Sequence, residues 1–198
     1  MAAMVLVSFS GSRMGGDTPK QYLEVAGATL LEHSLRALLA CEEIAAVAVP
    51  LRAGDDRAAR IALLDDARVR RVTGGAERSD SVLAGLAALA REAAPGDWVL
   101  VHDAARPCVS AQSIRELIGR VRDRDTGGIL AEPMVDTVKQ AGEDGRVKAT
   151  LDRSVLWRAQ TPQMFRLDAL REALESAASR GLAVTDEASA MELAGHPV

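Results

Sequence analysis

Short strand-like runs alternate with segments of helical spacing over the first two thirds of the chain, and this rhythm limits the folds open to it. Met4 to Phe9, Ile44 to Leu51, Arg68 to Thr73, Trp98 to Val101 and Gly128 to Glu132 read as strands. Between them, Thr29-Leu30-Leu31-Glu32 matches a capping box that opens a helix to about Ala40. Asp55 to Leu64 has helical spacing, Ser79 or Asp80 caps a helix through Arg91, and Ser110 starts a helix that ends near Arg124. The purely apolar runs suit strands buried on both faces. Strand–helix alternation demands crossover connections, so the expected fold is α/β. It is a doubly wound, mostly parallel sheet of the Rossmann-like kind, with helices on both faces. At 198 residues the chain is expected to form a single domain, 1–198.

From Val135 the rhythm changes. Val135 to Lys139 and Arg146 to Leu151 flank Glu143-Asp144-Gly145, and Asp-Gly between extended runs signals a hairpin. This hairpin, 135–152, has few large apolar residues and supplies little core. It reads as a protruding arm that needs a surface to pack on, a second subunit being the simplest; the alternative is a hairpin folded back on its own domain. Two further helices, Leu167 to Ser179 and Asp186 to Ala194, complete the pattern.

Only 3% of residues are aromatic, so Ala, Val, Leu and Ile must build the core. The net charge of −4 offers no broad basic field for nucleic acid. No apolar run approaches bilayer length, and no cationic segment precedes the first apolar stretch, so neither a membrane nor a secretory signal is expected. Cys41 and Cys108 form no CxxC pattern, which suits reduced thiols in the cytoplasm.

The chemistry-bearing residues fall where strands end. Val101-His102-Asp103-Ala104-Ala105-Arg106-Pro107 stops a strand on a carboxylate, with a cation three residues on. Open α/β sheets bind ligands at that edge. Either Asp103 and Arg106 form a structural ion pair, or Asp103 meets a divalent cation and Arg106 a phosphate. His102 reads as a structural hydrogen bonder. Ser10-Gly11-Ser12-Arg13-Met14-Gly15-Gly16 is a glycine-rich loop able to approach phosphate with its N–H groups, and is otherwise only a turn. Arg13 and Lys20 flank it. Gly74-Gly75 precedes a helix N-terminus, where Ser79, Asp80 and Ser81 are cap candidates and Ser81 should already lie in the first turn. Capping is sufficient to explain Asp186 and Glu187. Thr137 and Arg153, on opposite strands of the arm, could face one anion. Together these suggest a site for a metal-bound polyphosphate and a second anionic substrate.

Taken in order, these tracts resemble the 2-C-methyl-D-erythritol 4-phosphate cytidylyltransferases of non-mevalonate isoprenoid biosynthesis. The matching runs are Ser-Gly-Ser-Arg-Met at 10–14, Pro-Lys-Gln-Tyr-Leu at 19–23, Gly-Gly-Ala-Glu-Arg-Ser-Asp-Ser-Val at 74–82 and Val-His-Asp-Ala-Ala-Arg-Pro at 101–107. Asp-Thr-Val-Lys at 136–139, Asp-Arg-Ser-Val-Leu-Trp at 152–157, Gln-Thr-Pro-Gln at 160–163 and Thr-Asp-Glu-Ala-Ser at 185–189 follow. The resemblance implies a nucleotidyltransferase fold and a homodimer joined by the arm. It implies transfer of CMP from CTP to the sugar-alcohol phosphate, with release of pyrophosphate. Arg13 and Lys20 would be catalytic at the α-phosphate, and Ser10, Gly11, Gly74, Gly75 and Ser81 would hold the nucleotide. Asp103 would ligate Mg2+ and contact substrate. Arg106 and Thr161, with Thr137 and Arg153 from a second subunit, would place the acceptor phosphate. Two departures stand out. Val7 is followed by Ser8-Phe9 where the family runs into Pro-Ala-Ala-Gly, and members of the family usually continue past Gly195-His196-Pro197-Val198, so the expectation is a chain without the family's C-terminal tail. The alternatives are a ribitol-5-phosphate cytidylyltransferase, or a catalytically impaired nucleotide-binding or dimerisation module.

Overall fold

In the computed structural model, residues 2–7 are described as backbone, and residues 18–94, 96–124 and 126–198 in full. A six-stranded sheet forms the centre. Four strands are parallel: β1 (Ala2–Val7), β4 (Ile44–Leu51), β5 (Val69–Thr73) and β6 (Trp98–Asp103). β7 (Gly128–Pro133) and β10 (Trp157–Arg166) complete the order β5-β4-β1-β6-β10-β7. A small hairpin, β2 (Glu24–Val25) and β3 (Ala28–Thr29), precedes α1 (Leu30–Leu39). The arm is a separate two-stranded sheet, β8 (Lys139–Ala141) and β9 (Val147–Thr150).

The doubly wound expectation is met. Alternate residues of β4 and β6 feed two cores. Val47, Val49 and Leu100 pack toward α1 and α3 (Ala111–Arg124) on one face. Ala46, Ala48, Val99 and Val101 pack toward α2 (Arg78–Leu89), α4 (Leu167–Ser179) and α5 (Glu187–Leu193) on the other. Both cores are mainly aliphatic; Phe165 is fully buried, and a Cβ at Gly127 would stand 2.3 Å from its ring.

Several local expectations change. β10, not foreseen as a strand, inserts antiparallel between β6 and β7. Its Pro162 belongs to a stretch, Ala159 to Gln163, where the register with β7 shifts, and a bulge is where a strand interior tolerates proline. Asp55 to Leu64 forms two 3-10 turns, Ala58–Arg60 and Ala62–Asp65, rather than a helix. The Asp55 carboxylate accepts from the Arg57 and Ala58 N–H groups, giving the backbone a local alternative to a helical ladder. α2 starts earlier than expected, with Glu77 as N-cap; Asp80 accepts from the Glu77 N–H, and Ser81 lies in the first turn. The capping box at Thr29 and Glu32 is present as predicted. In the arm, the turn spans Gly142 to Arg146 and the first strand begins only at Lys139. Thr137 and Arg153 therefore lie at the arm's base, beyond its paired strands, not within them. Among the described residues, no helix is long and apolar enough to cross a membrane.

Candidate active site

The parallel strands β1, β4, β5 and β6 direct their C-terminal ends to one edge. Val7, at the end of β1, is paired with Asp103, and the segment 8–17 follows it in sequence. Ser10, Gly11 and Arg13 lie on that segment and fall outside the described residues. Lys20 opens a 3-10 turn, Lys20–Tyr22, just upstream of the N-terminus of α1, which faces the same edge. Its side chain is half-buried. The turn is tied to the loop after β4 by Tyr22, whose hydroxyl donates to Asp55 Oδ2 at 2.6 Å. Lys20 does not line the cleft beside Asp103; Pro19 and Gln21, on either side of it, line a separate groove with Arg52 and Arg57.

Asp103 is the hub of a four-residue ion-paired chain. Arg78, the first residue of α2, donates to Asp103 Oδ1 through Nε at 3.2 Å and through its second terminal nitrogen at 3.1 Å. The same guanidinium grips both oxygens of Glu187 on α5, at 2.5 and 3.0 Å. Arg106 Nε donates to Asp103 Oδ2 at 3.1 Å, and its guanidinium also meets Gln160. Side-chain exposure rises outward along the chain: 1% for Glu187, 24% for Arg78, 31% for Asp103 and 44% for Arg106. The structure thus contains the Asp103–Arg106 pair, and adds a second, more buried cation. Burial pushes the Glu187 carboxyl up from its ordinary range, against the pull of Arg78.

Beneath this chain lies His102, fully buried. The Asp103 N–H donates to Thr161 Oγ1 at 3.2 Å. The Thr161 hydroxyl can then donate to His102 Nδ1, 2.9 Å away, leaving Nε2–H to donate to the Arg106 carbonyl at 3.1 Å. In this arrangement the imidazole is neutral, with its proton on Nε2. Burial lowers its pKa to about 4, consistent with the same state. His102 is the structural hydrogen bonder expected, and Thr161 shares that duty while bordering the cleft.

Gly74 and Gly75 form the loop into α2. A Cβ at Gly75 would come within 2.1 Å of Asp80 Cβ, so only glycine allows the loop to lie against the helix start. The Ser81 hydroxyl accepts from the Gly75 N–H at 3.1 Å and donates to the Glu77 carbonyl, bracing the loop from within the fold. Arg78, Asp103, Arg106, Gln160, Thr161 and Asp186 contribute to a cleft of about 200 Å³. Thr137 and Arg153 are exposed and do not line that cleft; Arg153 donates to the Val135 carbonyl.

Among the described residues, no group of three or more His, Cys, Asp or Glu side chains could hold a metal ion. Asp103 accepts two bonds at Oδ1 and one at Oδ2, and a carboxylate offers about four lone-pair sites. It therefore fits Mg2+ through Oδ2, with substrate oxygens and water completing the shell, the usual arrangement for this ion at phosphate sites.

Arg78, Glu187, Gln160 and Gln163 were not foreseen in these roles. Capping explains Asp186, which accepts from the Ser189 N–H, but not Glu187. The signal for Glu187 lay in helical spacing, since Ala190 and Met191 share its buried face.

The family described as IspD: 2-C-methyl-D-erythritol 4-phosphate cytidylyltransferase matches residues 1–198. A protein of that name from Ectopseudomonas mendocina is 50% identical over 186 residues, 93% of this chain and 79% of the relative. One from Vibrio vulnificus is 46% identical over 195 residues, 98% of this chain and 82% of the relative. Among solved structures, the Francisella tularensis cytidylyltransferase is similar with a TM-score of 0.84 and 34% identity, covering 99% of this chain and 88% of that one. The Thermus thermophilus cytidylyltransferase has a TM-score of 0.79 and 31% identity, covering 100% and 87%.

Proposed function

The chain belongs to the 2-C-methyl-D-erythritol 4-phosphate cytidylyltransferase family, and from that membership we propose how its residues carry out the reaction. The enzyme transfers CMP from CTP to 2-C-methyl-D-erythritol 4-phosphate and releases pyrophosphate. One observation carries the assignment of roles: a carboxylate and two arginines meet at the C-terminal edge of the sheet and line one cleft.

The acceptor phosphate is already an anionic nucleophile, so no general base is required. The obstacle is repulsion between two anions, which cations and orientation must offset. Catalysis of such transfers rests on positioning and electrostatic stabilisation. Arg13 and Lys20 serve the α-phosphate, where charge grows during in-line displacement. Ser10, Gly11, Gly74 and Gly75 shape the nucleotide pocket, and Ser81 acts through the loop it braces. Arg106 turns from Asp103 to the acceptor phosphate, with Thr161 at the cleft wall. Thr137 and Arg153 of a second copy of the chain complete the acceptor site, which makes the enzyme a homodimer joined through its arm. The exposed apolar side chains of Val135, Val147, Val155 and Trp157 support that role for the arm. Asp103 would hold Mg2+, and the ion would supply neutralisation of the triphosphate charge. A cytoplasmic location suits both substrates.

The test is pyrophosphate release from CTP and Mg2+ with either methylerythritol phosphate or ribitol 5-phosphate. Turnover with the former is expected. Turnover with ribitol phosphate alone, or CTP binding in a calorimeter without any pyrophosphate release, refutes the assignment. Lys20→Ala should lower the rate on the order of 10²–10³, the usual loss for one preorganised donor.

A further inference from the structure

We propose that Arg78 and Glu187 form a buried clamp that fixes the Asp103 carboxylate, making Arg78 a positioning residue for the transfer rather than a ligand of either substrate. The inference rests on the roles proposed above for Asp103 and Arg106.

Geometry separates the two arginines. Arg78 spends Nε and one terminal nitrogen on a single oxygen, Asp103 Oδ1. Oδ2 is left to Arg106, and all three side chains line the cleft. Without Arg78, the one described side chain left to restrain the carboxylate would be half-exposed Arg106, three residues away. The guanidinium is locked in turn by two bonds to Glu187, 1% exposed, one from its other terminal nitrogen and one from the nitrogen shared with Asp103. Glu187 is itself held in place. Gln163 accepts from the Ala188 N–H at 2.9 Å and donates to Asp186 Oδ2 at 2.8 Å, pinning the start of α5 to β10. A planar fork with fixed donors can hold two carboxylates at a set angle, which a lysine cannot do. Arg78 also begins the helix that the Gly74–Gly75 loop feeds, so the clamp joins the nucleotide loop to the acceptor carboxylate.

The clamp is tested on the full chain with Arg78→Lys, Glu187→Gln, Asp103→Asn and the Glu187→Gln/Asp103→Asn double variant. Arg78→Lys and Glu187→Gln should each lower kcat about tenfold, with KM for CTP nearly unchanged. In the Asp103→Asn background, Glu187→Gln should add nothing, because its effect travels through that carboxylate. A purely structural pair would instead multiply the loss in both backgrounds, and that result overturns the proposal, as does unaltered kcat in Arg78→Lys. If Glu187→Gln does not fold, Arg78→Lys carries the test, since it keeps the charge opposite Glu187. A crystal structure of Arg78→Lys gives a readout independent of activity: Asp103 should leave its present rotamer, and an unmoved carboxylate sinks the idea. A parent chain that makes no pyrophosphate refutes the functional assignment, while this crystallographic comparison still decides the clamp.

Discussion

The chain has one tyrosine, and its phenol gives an optical report on the turn that carries Lys20. Tyr22 is 7% exposed and donates to Asp55 Oδ2 at 2.6 Å. Burial, and then the hydrogen bond and charge of Asp55, raise its pKa well above the ordinary 10.0. Both effects oppose a phenolate. A raised pKa means that the stabilisation is fully present below the unfolded value and is lost as pH climbs past it toward the folded one. Native protein should therefore show no tyrosinate absorbance as pH passes 10, whereas the chain in strong urea should titrate with a midpoint of about 10.

Tyr22→Phe removes the donor and leaves Asp55 Oδ2 without it, while Oδ1 keeps the Arg57 and Ala58 N–H groups. A hydrogen bond to a charged group contributes roughly 1.5–3 kcal/mol. The variant should lose about that much in urea unfolding, read from the midpoint at unchanged slope. Because Tyr22 closes the turn that begins at Lys20, kcat should fall as well. A native tyrosinate midpoint near the unfolded value, or full stability in Tyr22→Phe, would refute this account of how Lys20 is held.

Gly75→Ala places a Cβ into the first turn of α2; the loop must shift, and kcat/KM for CTP should fall on the order of 10²-fold, the scale of an ångström's misplacement. Gly127→Ala drives a methyl group into the buried Phe165 ring, and calorimetric melting should show a loss of about 1–3 kcal/mol from overpacking. Mixing the impaired Lys20→Ala and Arg153→Ala proteins should restore activity after subunit exchange if the acceptor site is shared between copies; no recovery counts against a shared site.

What the sequence made legible follows from uniform local chemistry. β4 and β6 are apolar on both faces, so period, burial and parallel pairing point the same way. The Thr29–Glu32 box fixes one helix start by its own side chains. β10 was illegible because Gln160, Thr161, Pro162 and Gln163 interrupt what is otherwise a strand, and those residues serve the site or its bulge. Strands that carry function depart from pattern where the function is. The 3-10 turns after Asp55 were hidden for a similar reason, since one carboxylate outcompeted a helical repeat. Glu187 was overlooked because an acidic residue in a first helical turn already has an adequate explanation. Only the packing of α5 against Arg78 shows the second one.

Energetics then decide which arginine can exchange its carboxylate for a substrate phosphate. Arg106 and Asp103 form a half-exposed pair three residues apart, and such pairs contribute about 0–1 kcal/mol. Releasing Arg106 toward an incoming anion therefore costs little. Arg78 faces Glu187, which has no access to solvent to speak of, and breaking a buried pair by removing one partner costs roughly 3–5 kcal/mol. Arg78 must stay where it is while Arg106 turns. The graded burial from Glu187 to Arg106 thus divides one ion-paired chain into a fixed half that sets the position of Asp103 and a mobile half that meets the acceptor. The division predicts its own signature: raising salt should weaken acceptor binding through Arg106 while the Glu187–Arg78–Asp103 half holds.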